Sequence, residues 1–191
     1  MYIFCKILKM GKKGVTLIEL LIVVALLLGG MVPLLKMIIS GLQGTQKMGE
    51  ITVANSLAQA LIEEIKQRKW DENSPDKGVY IPTVNASDVL RYESGEDPAN
   101  RYTFDDIDDY NGDGTGFTDE PMKDDAGIVL EEYKDKYYRK VKVEYVDIPL
   151  GGKVTVSASK TDYKKVTVTV YIKNDDMNVT QSVILANGVQ Y

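Results

Sequence analysis

Gly11-Lys-Lys-Gly14-Val15-Thr16-Leu-Ile-Glu19-Leu-Leu-Ile-Val-Val-Ala-Leu-Leu-Leu28 is the stretch on which the reading of this 191-residue chain turns. Two lysines and a glycine precede an apolar run that continues to Ile39 and is broken early by a single acid, Glu19. As a helix, residues 15–39 would rise about 37 Å at 1.5 Å per residue, enough for a hydrocarbon core of about 30 Å. Lys36 reaches the far interface by extending its stem along the apolar surface. The first fourteen residues carry Lys6, Lys9, Lys12 and Lys13 and no acid. Cationic flanks stay in the cytoplasm, so the expected topology is a single pass with everything after Ser40 on the outer side.

Glu19 needs its own explanation, because an acid at the centre of a spanning helix costs roughly 2.5–3.5 kcal/mol without a partner. A tolerated acid near the membrane end is one explanation. The register of Gly14, Val15, Thr16 and Glu19 behind the lysines supplies another. Residues 11–28 resemble the type III signal of type IV prepilins and type II secretion pseudopilins, usually Gly-Phe-Thr-Leu-Ile-Glu-Leu, with Val15 standing where phenylalanine is usual. The resemblance implies that a prepilin peptidase cuts between Gly14 and Val15, removing a cytoplasmic leader of residues 1–14, and methylates the new amine. It also implies that Glu19 neutralises the Val15 amine of a neighbouring subunit. The implied partners are other pilin or pseudopilin subunits, the peptidase, an inner-membrane assembly platform and membrane lipid. The implied location is the inner membrane, then a filament in the periplasm or at the cell surface. An ordinary secretory signal fits poorly, since Gly-Gly-Met-Val-Pro after the apolar core offers no small-residue cleavage site.

Composition narrows the function further. Setting aside the four leading lysines leaves 19 of the 23 basic residues against 28 acidic ones, a net charge of −9. Such a domain repels phosphate backbones, which excludes nucleic acid as a partner. There is no histidine, and the one cysteine, Cys5, lies in the basic leader. Serine and cysteine triads and an intramolecular disulfide are therefore impossible for this sequence. A hydrolase would have to rely on carboxylate pairs, and acids in turn-forming surroundings are far more often solvated. The expectation is a protein that is not an enzyme.

After Ser40 the pattern becomes that of a soluble domain. Gly29, Gly30 and Pro33 weaken the spanning helix locally, either as a static kink or as a stretch that unwinds on assembly. Helical periodicity resumes after the Gly41–Gly49 stretch with Ala54, Leu57, Ala58, Leu61, Ile62 and Ile65, opposite Gln59, Glu63, Lys66 and Gln67. This predicts an amphipathic helix over 40–70 that ends near Trp70 and lies against a sheet. In the head, residues 71–191, the period changes to two beyond Ala126. Val141, Val143 and Tyr145 form one strand and Val166, Val168, Val170 and Ile172 another, with weaker candidates at 154–156 and 179–185. The predicted fold is α+β, a long N-terminal helix packed on an antiparallel sheet of about four strands, which is also the pilin architecture. The run Phe104-Asp-Asp-Ile-Asp-Asp-Tyr-Asn-Gly112 between the helix and these strands resembles the D-type minor pilin of the mannose-sensitive haemagglutinin system, implying a minor subunit.

The acid-rich segment 93–125 holds one further motif. Asp109, Asn111, Asp113, Gly114, Thr115, Phe117 and Glu120 fit the spacing of an EF-hand calcium loop. Asp109, Asn111, Asp113 and Glu120 would offer side-chain oxygens, Thr115 its carbonyl, and Phe117 holds the ninth position. Gly116 departs from the usual aliphatic residue and neither flank is helical, so the expectation is a loop-only Ca2+ site. Asp105, Asp106 and Asp108 are extra ligands or simply mutually repelling charges. The alternative is a solvated loop in which Asn-Gly and Asp-Gly make turns. Two functions compete on this basis: a filament subunit, and a monomeric membrane-anchored calcium-dependent binding module that has no use for Glu19.

Overall fold

A computed structural model describes residues 16–87, 89–97 and 100–189. The leader and the Gly14/Val15 junction lie outside the described residues. Helix α1 runs from Leu17–Lys66 without interruption. It contributes to two units, residues 1–48 and 49–191.

In the first unit, every described residue from Thr16 to Met48 is exposed. Its apolar side chains touch no core, and the helix is long and apolar enough to cross a membrane. Thr16 starts it as an N-cap, since its Oγ1 accepts the Glu19 backbone N–H at 3.3 Å. The expected weak points stay helical. Pro33 lies inside α1, and Gly41, Gly44 and Gly49 have no packed neighbour that forces a break. Proline removes one hydrogen bond and glycine costs about 1 kcal/mol each, too little to interrupt a helix supported by leucine and isoleucine on both sides.

In the second unit, α1 buries Ala54, Leu57, Ala58, Leu61, Ile62 and Ile65, the face expected from their three- and four-residue spacing. It stops at Lys66, four residues before Trp70. Gln67 and Arg68 close it with bonds to the carbonyls of Glu64 and Ile65.

Five antiparallel strands make the sheet: β1 (Phe117–Asp119), β2 (Tyr137–Asp147), β3 (Thr155–Val156), β4 (Tyr163–Ile172) and β5 (Asn178–Ala186). The order is β1-β2-β4-β5, with β3 pairing the end of β2. The central register sets Val141 opposite Val168 and Val143 opposite Val166, and places Val166 opposite Val183. All four sequence-expected strands are present. The addition is β1, three residues long, which lies inside the segment expected to be a calcium loop.

The core joins the helix face to the inward valines of β2 and β4. Each fully buried Val, Leu or Ile contributes about 1.5–3 kcal/mol. A third contributor is the acidic segment itself. Phe104, Ile107, Tyr110 and Phe117 are buried in the same cluster, with the Phe104 ring edge-on to Tyr110 at 5.2 Å and to Phe117 at 5.4 Å. Residues 104–111 are therefore not solvated, because the apolar side chains draw them into the core with Asp106, Asp108 and Asp109, whereas Asp113 stays exposed in the turns expected at Asn-Gly and Asp-Gly.

Candidate functional site

The residues of the EF-hand spacing go to different places. Asn111 is consumed by backbone: its Nδ2 donates to the Leu90 carbonyl at 3.0 Å and its Oδ1 accepts the Val143 N–H at 2.9 Å. Asp113 is exposed and its Oδ1 accepts the Thr115 N–H and hydroxyl at 3.0 and 2.6 Å, making a local turn. Phe117 pairs with Val141 in β1, and Glu120 forms an ion pair with Lys173 at 2.7 Å. Gly112 and Gly116 are required by backbone approach: a Cβ at either would sit 2.9 Å from a carbonyl oxygen, that of Gly116 or of Val141. Strand formation and tight turning account for this pattern, so the spacing does not translate into a loop that wraps one ion. Among the described residues, the converging acidic groups are Glu93, Glu96 and Asp109, and Glu72, Glu93 and Asp106, and neither includes Asp113 or Glu120.

Asp109, from the EF-hand spacing, and Asp106, one of the expected extra ligands, are the acids shared with the observed clusters. The 3-10 helix Asp108–Asn111 places Asp109. Its Oδ2 accepts the backbone N–H groups of Asp105 and Asp106 at 2.8 and 3.0 Å. Asp106 caps the same turn, its Oδ1 accepting from Asp108 and Asp109 at 2.6 and 3.2 Å. The turn is tied to the end of the helical segment by the Lys69 N–H donating to the Asp105 carbonyl and the Ile107 N–H to the Lys69 carbonyl. From the other side comes the 93–96 turn, where Glu96 Oε2 accepts the Glu93 N–H at 2.6 Å. The carboxylate oxygens of each triad lie within 4.8 Å of one another.

Such crowding raises every carboxyl concerned, since burial penalises the anion and neighbouring anions repel it. Burial first, then Asp108 and Asp109, pushes Asp106 up to about 10. Burial, then its contact with Glu96, pushes Asp109 up to about 8. Glu93 rises to about 7 through burial and repulsion from Asp109 and Asp108. Burial also raises Glu96.

Next to this cluster the charge is balanced. Lys164 is fully buried on β4, 2.6 Å from Asp108 Oδ1, donating to the Trp70 carbonyl at 2.5 Å and lying over the Trp70 ring. Burial still outweighs Lys164 at Asp108, which is pushed up to about 7. A second buried network fastens β1 and β2 to the helix. Asp119 Oδ2 accepts from Arg101 Nη1 at 2.8 Å and Arg139 Nε at 2.9 Å, while Arg101 Nε reaches Glu64 at 2.9 Å. Glu64 also accepts the Tyr110 hydroxyl at 2.7 Å.

Sequence reasoning missed Lys164, Arg139 and Asp119, though a signal existed. The period of two puts Lys164 in phase with Val166, Arg139 with Val141 and Asp119 with Phe117, all on the core face. Glu72, Glu93 and Glu96 had no such signal, because loops far apart in sequence bring them to Asp106 and Asp109.

Of the assembly residues, Glu19 lies in the first turn of α1, exposed, with its N–H capped by Thr16. Comparison with family models, curated proteins and solved structures finds no match.

Proposed function

We propose that this chain is a structural subunit, of the minor kind, of a type IV pilus or a secretion-type pseudopilus, anchored by a single pass and assembled through α1 after cleavage between Gly14 and Val15. The observation that carries the reading is the division of labour along α1. Its first unit exposes leucines, isoleucines and valines on every side with one acid, Glu19, in the first turn. Its second unit supplies one wall of an α+β head. A surface that is apolar all round has no stable place in water and requires lipid or the equivalent helices of other subunits. In lipid an acid is costly until paired, and the new amine of a neighbouring Val15 meets that need without a second acidic or basic side chain.

The test separates insertion from assembly. Glu19→Ala is expected to enter the membrane as the natural chain does and to be depleted at least about tenfold from sheared filaments, as expected when one intersubunit ion pair worth ~1.4 kcal/mol or more is lost. Intact-mass measurement of the filament fraction is expected to show a chain starting at Val15 with one added methyl. Equal incorporation of Glu19→Ala and the natural chain would instead favour the monomeric membrane-anchored module.

A further inference from the structure

The acid cluster between the 93–96 turn and the Asp108–Asn111 helix has a feature that acidity alone does not supply. Asp106 and Asp109 are both fully buried, and each commits one carboxylate oxygen to two backbone N–H groups. The other oxygens, Asp106 Oδ2 and Asp109 Oδ1, meet no hydrogen-bond donor, and neither does Glu93 Oε2. A buried oxygen left unpaired costs its full desolvation; without a cation a proton relieves it, as the raised Asp106 and Asp109 carboxyls show, and an amine or a metal ion can take the place of that proton. The amines nearby are engaged elsewhere, Lys164 by Asp108 and Trp70, and Lys69 by Asp105 at 2.7 Å.

We infer that Glu93, Glu96 and Asp109 form a divalent cation site that suits calcium, with Glu72 and Asp106 making a second carboxylate group around Glu93. All donors are carboxylate oxygens, and no histidine or cysteine stands among them, which disfavours zinc. Oxygens on opposite sides of a calcium ion at about 2.4 Å are about 4.8 Å apart, so the three oxygens of the triad, all within 4.8 Å of one another, are close enough to share one ion. Glu93 belongs to both triads. The donors are all protein carboxylates from two separate turns, which suits calcium better than magnesium, since magnesium keeps most of its waters and is usually held by one or two carboxylates. The ion would join the 93–96 turn to the helix-anchored 105–109 turn, so the segment that the core already holds at Phe104, Ile107 and Tyr110 gains a second fastening on its polar side.

This site is independent of filament assembly, and its test reads ion binding directly. Full-length chain solubilised in detergent and stripped with chelator is titrated with calcium chloride by calorimetry. Saturable binding is expected, weaker for magnesium. Glu93→Gln and Glu96→Gln, each with an unchanged far-ultraviolet spectrum, are expected to weaken it by about tenfold or more, since affinity follows the number of charged ligands. Asp113→Asn and Glu120→Gln are expected to change it less than about twofold, because neither residue belongs to the cluster. Two results overturn the assignment: no saturable calcium binding by the natural chain at millimolar concentration, or binding that is lost in Asp113→Asn and Glu120→Gln but retained in Glu93→Gln.

Discussion

The first unit of α1 and the acidic segment 93–125 depart from the ordinary distribution of residues in opposite directions. One exposes apolar side chains from Leu17 to Ile39, and the other takes Asp106, Asp108 and Asp109 out of water. Ordinary folding energetics disfavour both arrangements, the first for lack of burial and the second for desolvated charge. Local structure holds each in place nonetheless: a continuous helix with a threonine cap in one case, aromatic anchors and backbone-capping aspartates in the other. Each region has a locally hydrogen-bonded structure, and the surroundings that suit it differ. An apolar surface calls for a nonaqueous medium, and a group of buried oxygens calls for positive charge.

The comparison breaks first if the buried charges of the head are not held by their partners. Asp119→Ala leaves Arg101 and Arg139 buried without their shared carboxylate, and is expected to destabilise the head by about 3–5 kcal/mol, the usual cost of removing one member of a buried ion pair. Chemical denaturation of the solubilised chain measures it. A loss below about 1 kcal/mol, typical of exposed pairs, would mean that the network is wet.

For the first unit the corresponding substitution adds an acid where none is present. Leu27→Asp near the middle of the apolar run is expected to disfavour insertion by roughly 2.5–3.5 kcal/mol, read as the fraction of chain recovered with membranes. Unchanged recovery would place this surface against protein and not lipid. The smallest expected effect is at the cap. Thr16→Ala is expected to cost the first turn of α1 about 1 kcal/mol, seen as roughly fivefold faster hydrogen exchange of the Glu19 amide, with no change at the helix residues of the head. Together with the Glu19 and calcium tests, these measurements ask of each region whether its stability is local or depends on a partner.

Much of the fold was legible because it rests on periods. The spacing from Ala54 to Ile65 identified the buried face of α1, and the alternations around Val141 and Val166 identified β2 and β4 with the correct inward residues. The same alternation puts Arg139 and Lys164 in phase with the inward valines, yet both were missed because a charged side chain in a strand is ordinarily assigned to solvent. Helix α1 runs on through Gly29, Gly30, Pro33 and the Gly41–Gly49 stretch, since glycine costs of about 1 kcal/mol are spread along a helix that long apolar neighbours sustain.

By itself the sequence determined that there is one apolar span with an early acid, an amphipathic helical continuation and an antiparallel sheet, because these follow from composition and from periods of 3.6 and 2 that any short window displays. It also raised, as an expectation, a calcium ion at Asp109. Tertiary structure alone decided which oxygens gather there. Phe117 went to a strand, Asn111 to backbone carbonyl and amide groups, and Glu120 to Lys173, while Glu72, Glu93 and Glu96 arrived from other turns. Ligand spacing within one loop is a local property, whereas the position of a buried carboxylate is set by what the surrounding core and backbone leave unpaired, and that is defined only once distant segments have packed.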